Sequence, residues 1–343
     1  MRHLLNTLFV LTEDSYLTLD GENIVILCGD ETKGRFPLHT FECILYFGYK
    51  GASPALMGAC AKYGISLCFL KPGGKFLARV CGKSRGNVLL RKQQYRISDN
   101  EAESCKIAVS FIIGKVYNGR WILERATRDH PLRVDVSKLK AASAAMSKAL
   151  PAIAECTSME SLRGFEGEAA KLYFSVLDEL ILQNKQDFFF RERTRRPPLN
   201  NVNAMLSFCY TLLSNDCASA LESVGLDSFV GFLHRDRPGR ESLALDLMEE
   251  MRSIFVDRFI ITLINGKSIQ PKHFVKKENG AILLTDDGRK ILLSSWQERK
   301  KETITHPFLK EKMPWGLVPY VQALLLARYL RGDLDAYPPF LWK

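Results

Sequence analysis

The stretch SLALDLMEEMRSIFVDRFIITLI, residues 242–264, decides what kind of chain this is. Its apolar residues return at intervals of three and four, which is the spacing of a helix with a buried face. Ser242 stands where a cap belongs and Asn265-Gly266 where a helix should stop, so the period predicts one continuous helix from Ser242 to Ile264. Three acids interrupt its first turns. Asp246, Glu249 and Glu250 fall in one sector of roughly 100 degrees, flanked by Leu243, Leu245 and Leu247, and the helix angle favours Asp246 or Glu250 as the inward one. The positive end of the helix and solvent account for one or two of these acids; three call for cations.

Outward from this helix the same period continues. It predicts a helix from about Asp99 to Ala126 capped by Ser98, and another from Ser137 to Leu150 stopped by Pro151. A third carries Leu162, Phe165, Ala169 and Tyr173 on one face, and a fourth follows Pro197-Pro198 to about Leu213. A small hairpin is expected at Asn279-Gly280, and the Pro-rich end beyond Tyr337 reads as an extended tail. Before residue 88 the pattern changes to strands. LFVLT, YLTL and IVIL are punctuated by Glu13-Asp14-Ser15 and Asp20-Gly21 as a run of hairpins; FECILYFG and ISLCFL follow, with a short helix after Ser53, and Gly73-Gly74 turns into KFLARV. The fold class is therefore α+β: a β-rich domain over 1–88, a linker over 89–98, and a larger all-α domain over 99–343.

The bulk numbers agree with a fully folded chain of 343 residues, 46% hydrophobic and 25% charged, too long for a single core. Lys and Arg outnumber Asp and Glu by 48 to 38, so the far field attracts polyanions, nucleic acid first among them. Nine cysteines with no CxxC pair suggest reduced thiols rather than a disulfide framework or zinc ribbon. Asn6 and Thr7 interrupt the apolar start, which fails as a signal peptide, and no run is long enough to span a bilayer. The expectation is a soluble, cytoplasmic protein. GGKFLARVCG lacks P-loop spacing, and there is no GxSxG elbow, HExxH pair or dinucleotide fingerprint.

Chemistry concentrates elsewhere. Glu166, in LRGFEGEAAKLYF, sits one turn after Leu162 on the core side of its helix, where a lone carboxylate is costly unless a cation or basic side chain meets it. Glu168 lies on the polar side. His234 closes the apolar run FVGFL and opens RDRPGR, eight residues before the acidic helix. One imidazole among carboxylates suits Mg²⁺ or Mn²⁺ rather than structural zinc, and such an ion serves phosphodiester chemistry. The segment FFFRERTRRPP clusters Arg191, Arg193, Arg195 and Arg196 beside aromatic residues, which fits a phosphate backbone.

Taken in order, LRGFEGEAAKLYF, RRPPLNNVNAMLSFCYTLL and GFLHRDRPGRESLALDLMEEMR resemble the core motifs of the CRISPR-associated adaptation integrase, the universal spacer-acquisition family, here of a type I system. The segment PLHTFECILYFGYKGASPALMGACAKYGISLCFL resembles that family's β-rich domain. The resemblance implies Glu166, His234 and Glu249 as metal ligands, with Asp246 close to the ion. It implies an endonuclease and integrase that joins the 3′-hydroxyl of a captured DNA fragment to a phosphodiester at the repeat edge. It also implies a subunit that dimerises through its β-rich part, with dimers bridged by a small ferredoxin-like partner. Arg196 or Arg235 would offset developing charge, and Asn203 and Tyr210 would position the site. LNNVNA departs from relatives with an acid before VNA. A structure-selective nuclease using water as nucleophile, and a non-catalytic basic DNA-binding scaffold, are the competing readings.

Overall fold

The computed structural model describes residues 6–12, 14–72, 76–80, 82 and 88–343. They fall into two compact units, one of residues 1–85 with 284–302, the other of 86–283 with 303–343. The first unit is built on strands. β1 (Thr7–Val10), β2 (Ser15–Asp20), β3 (Asn23–Cys28), β4 (Glu31–Pro37) and β5 (Cys43–Phe47) precede the expected short helix, α1 (Pro54–Tyr63), which Ser53 caps; β6 (Ser66–Leu70) and β7 (Phe76–Arg79) follow. The hairpin reading of the first three strands holds only in part. β2, β3 and β4 form an antiparallel sheet, but β1 leaves it and pairs in parallel with β5, which pairs in parallel with β6, and β7 closes that second sheet antiparallel. The short apolar β1 is better buried beside the fully buried β5 than at the edge of the amphipathic β2–β4 meander. Leu17, Ile24, Ile44, Tyr46, Leu56 and Leu67 form the centre of this core. The Gly73-Gly74 turn lies outside the described residues.

The second unit is helical. Residues 89–98, expected as a linker, are instead the body of α2 (Val88–Ser98), whose Gln94 is buried and hydrogen-bonds the backbone of Asp227 and Val230. α3 (Glu101–Asp129) is capped by Asn100 rather than Ser98, because the Asn100 side chain, two residues later, accepts from the Glu103 amide. α4 (Val136–Ala154) is capped by Asp135 and continues one turn through Pro151. α5 (Met159–Ser175) and α6 (Asn201–Ser223) follow; α6 runs well past Leu213 because its apolar stripe continues through Cys217 and Leu221.

The long helix expected over Ser242–Ile264 is broken into three. α7 (Ser242–Glu249) gives way to a π-helical turn over Arg252–Asp257 and then α8 (Arg258–Asn265). Ser242 is its first residue, not its cap, and its hydroxyl donates to the Arg235 carbonyl. Two short strands, β8 (Phe274–Lys276) and β9 (Ile282–Leu284), flank the Asn279-Gly280 turn as anticipated. α9 (Asp286–Lys301) belongs to the first unit, although its period placed it with the helical domain. A hairpin of β10 (Thr303–Thr305) and β11 (Lys312–Pro314) leads to α10 (Val318–Leu330) and an irregular C-terminal segment. Among the described residues no helix is long and apolar enough to cross a membrane, and the eight cysteines there are free thiols.

Candidate functional site

α3, α5, α7 and the loop between α6 and α7 meet at one point in the helical unit. α3 approaches α7 closely because residue 114 is glycine: a Cβ there would stand 2.6 Å from the Glu250 Cβ. The next residue, Lys115, enters the junction. Its ammonium binds the Glu166 carboxylate from α5 and lies 2.8 Å from Oε2 of Glu249 at the end of α7. That 2.8 Å contact pairs the charges without hydrogen-bond geometry, so Glu249 Oε2 is buried with no donor aimed at it. The other oxygen, Oε1, meets Arg252 at 3.0 Å and His234 Nε2 at 3.8 Å. Burial pushes the Glu249 carboxyl up, but Arg252, Lys115 and His234 outweigh it and hold it at about 2.

His234 is aimed by Asp246. The fully buried Asp246 carboxylate accepts from the amides of Phe232 (2.7 Å), Leu233 (2.9 Å) and His234 (3.0 Å), and lies 2.6 Å from His234 Nδ1. Three of its four partners are obligate donors, which makes the ring nitrogen the fourth donor. The carboxylate can only accept, so Nδ1 carries a proton, and Nε2 lies on the Glu249 side. This seat requires Gly231, whose Cβ would lie 2.8 Å from Asp246 Oδ2. Arg163, one turn before Glu166, donates to the Leu233 carbonyl at 2.9 Å and ties the loop to α5.

Asp246, Glu249 and Glu250 are thus all buried, with different partners. Asp246 holds the loop, Glu249 faces Lys115 and Arg252, and Glu250 turns the other way, onto Tyr337, Gln322 and the Phe340 amide. Among the described residues no cation pairs with Glu250, and burial pushes its carboxyl up to about 7. The angle does place Asp246 and Glu250 inward, but it does not separate them from Glu249, which is buried as well because α3 and the C-terminal segment pack around α7.

Beside the site lies a cavity of about 70 Å³, lined by Lys115, Glu166, Arg193, Tyr210, Arg252 and Asp257 among others. Tyr210 donates to Asp257 at 2.6 Å while Arg193 and Arg252 flank its ring at 5.4 and 5.3 Å. His234 also opens onto a broader cleft of about 650 Å³ with Arg163 and Arg235.

The arginine cluster divides. Arg191, Arg195 and Arg196 are exposed, Arg191 against the Phe189 ring at 5.3 Å. Arg193 is turned inward onto Asn203 (2.8 Å) and Ser207 (3.0 Å), so it shapes the cavity wall rather than a solvent-facing phosphate track. Asn203 is fully buried; its Oδ1 accepts from Arg193 and the Thr194 amide and its Nδ2 donates to the Glu192 carbonyl, so it folds the arginine segment. Glu168 is exposed, as its side of the helix requires.

Sequence reasoning missed Lys115, Arg252, Asp257 and Gly231. A signal existed for Lys115: FIIGKVYNG places a lysine inside the most apolar turns of α3. Among the described residues no three His, Cys, Asp or Glu side chains stand close enough to hold one ion as they are, since the Lys115 ammonium fills the space between the carboxylates.

Comparison with known proteins assigns the family. The model for CRISPR associated protein Cas1 matches residues 8–298. The chain belongs to this family. A CRISPR-associated endonuclease Cas1 of Chlorobaculum tepidum is 50% identical over 343 residues, covering both chains completely. Two solved structures share the family fold. A casposase bound to integration product superposes with a TM-score of 0.84 at 24% identity, covering 98% of this chain and 93% of that one. A Cas6-RT-Cas1–Cas2 complex superposes with a TM-score of 0.82 at 23% identity, covering all of this chain and 36% of that one.

Proposed function

We propose that this member of the Cas1 family is a DNA endonuclease and integrase that works with one Mg²⁺ or Mn²⁺ held by Glu166, Glu249 and His234 Nε2. The observation that carries the reading is the junction itself: the Glu166 and Glu249 carboxylates share the Lys115 ammonium, and His234 Nε2 lies 3.8 Å from the other oxygen of Glu249. The Lys115 ammonium is a stand-in cation there, and its flexible stem lets it swing aside. The donor set of two carboxylates and one imidazole fits a hard divalent ion, and Glu249 Oε2 is a buried oxygen whose contact is the Lys115 charge that the ion would replace. When bound, such an ion would activate an attacking hydroxyl and stabilise a departing oxyanion.

The chain's own side chains supply the rest. Asp246 keeps the proton on Nδ1 of His234 and thereby keeps Nε2 open. Arg252 and Lys115 bring positive charge to the place where a phosphate would gather negative charge. Arg195, Arg196 and Arg235 offer exposed guanidinium groups for the DNA backbone. The same reading extends to assembly as a homodimer through the β-rich unit, with a small ferredoxin-like partner, on a foreign DNA fragment and the CRISPR repeat. The endonuclease and integrase readings share every residue, and the relative's name supports cleavage while the casposase fold accommodates joining.

The test incubates wild type and the Glu166→Ala, His234→Ala and Glu249→Ala variants with a labelled fragment, a repeat-bearing plasmid and the small partner, in Mn²⁺. Joined product from wild type alone supports the proposal. Cutting without joining leaves the nuclease reading, and equal activity in all four proteins sinks the site.

A further inference from the structure

The C-terminal segment after α10 is fastened to the back of the site. Tyr337 and Phe340 are buried, and their partners are the residues that frame the end of α7. The Tyr337 hydroxyl donates to Glu250 Oε1, the Phe340 amide donates to Oε2 at 2.6 Å, and Gln322 Nε2 lies 3.2 Å from both oxygens. Asn118, three residues after Lys115 on α3, donates to the carbonyls of Glu250 (2.6 Å) and Phe340 (2.7 Å) and accepts from the Trp342 amide (2.9 Å). The Trp342 ring then packs on Trp315 at 5.3 Å and under the guanidinium of Arg258 at 4.7 Å.

The place of attachment matters because α7 ends there. Its α-helical run stops at Glu249 and the π turn starts only at Arg252. The helix ladder alone therefore does not fix the direction of the Glu249 side chain. Asn118 holds the Glu250 carbonyl while Tyr337 and the Phe340 amide hold its carboxylate, so the backbone that leads out of Glu249 is fixed from the C-terminal side. Gly114 presses on the Glu250 Cβ from α3, and the strap's donors close on its carboxylate from the other side.

We propose that the C-terminal strap, residues 337–342, is a positioning element of the metal site: Tyr337, with Gln322 and Asn118, locks Glu250 and so aims Glu249 at the ion. This rests on the metal reading above. Tyr337 touches neither substrate nor ion and acts through Glu250 alone. Partners that orient a ligand typically change metal affinity 10- to 100-fold when removed, and Tyr337 is one step further out.

The experiment uses the full chain with Tyr337→Phe, which deletes the one hydroxyl, and Gln322→Met, which removes the second side-chain donor at similar volume. Mn²⁺ affinity is measured calorimetrically on metal-free protein, kcat and KM on a labelled DNA fragment, and Tm alongside. The expected result is a Kd for Mn²⁺ about three- to tenfold higher in each variant. kcat should fall by a similar factor with KM for DNA unchanged. Both variants binding Mn²⁺ as tightly as wild type with wild-type kcat, whatever happens to Tm, would overturn the proposal and make the strap merely structural. Wild-type protein that takes up no Mn²⁺ would remove the metal reading and this proposal with it, and the wild-type titration tells the two failures apart.

Discussion

Replacing Asp246 by asparagine tests how the imidazole is aimed, because the change keeps shape and removes one acceptor. Asp246 receives four donors on two oxygens: Phe232 and Leu233 amides on Oδ2, the His234 amide and Nδ1 on Oδ1. Asparagine has one acceptor oxygen, so its amide nitrogen must face one of the two pairs. Facing Phe232 and Leu233, it opposes two buried N–H groups with further N–H groups; each lost partner costs about 1–2 kcal/mol, or about 2–4 kcal/mol for the pair. Facing His234, it still opposes the His234 amide and also forces the ring proton onto Nε2, which abolishes the lone pair needed for an ion. The first arrangement should lower Tm by roughly 5–10 °C, and the second should abolish Mn²⁺ uptake with a smaller loss of Tm. Thermal unfolding of the metal-free variant and a calorimetric Mn²⁺ titration read the two outcomes. An Asp246→Asn protein with wild-type Tm and wild-type Mn²⁺ affinity would refute the account of the loop.

Lys115→Met should destabilise the metal-free protein by about 3 kcal/mol, by leaving Glu166 unpaired and Glu249 with Arg252 alone, and should enlarge the Tm gain on adding Mn²⁺; an unchanged gain in Tm would show that lysine and ion do not share the place. Burial pushes the Asp257 carboxyl up to about 6, above its unfolded value near 4. Its stabilising contribution is therefore complete below about pH 4 and lost as pH rises through about 6, roughly 3 kcal/mol in all. Denaturant midpoints should fall across this window more in wild type than in Asp257→Asn, and parallel curves would contradict it. Gly231→Ala should cost about 1–3 kcal/mol, since its Cβ would meet Asp246 and Ser242 at 2.8 Å; an unshifted urea midpoint would show that the loop yields. Replacing exposed Arg195 and Arg196 by glutamine should flatten the salt dependence of DNA affinity by about one to two phosphate contacts, and an unchanged slope would take them off the DNA path.

What could be read from the residues was whatever depends on local period and residue chemistry. The helical face of Glu166, the acidic sector after Ser242 and the strand-to-helix change near residue 88 are all local, and each has its counterpart in the structure. What could not be read depends on distant partners. Glu249 and Glu250 are neighbours with the same side chain, and only α3 and the C-terminal strap give them opposite surroundings. Arg193 looked like its neighbours until Asn203 drew it inward. β1 left its apparent hairpin because β5, some thirty residues on, offered a better buried edge. The break at residues 250–257 left no mark on the apolar spacing, since a single wide turn changes the phase of a helix without changing its composition.

That wide turn also constrains how the family can vary in length. Dropping one residue between Arg252 and Asp257 could restore an ordinary helix and would leave the local hydrogen-bond ladder intact. It would nevertheless rotate everything beyond it by about 100 degrees, carrying Asp257 off Tyr210 and swinging the greasy side of α8 toward solvent. The number of residues from Glu249 to Asp257 is accordingly as binding on this chain as the identities at either end.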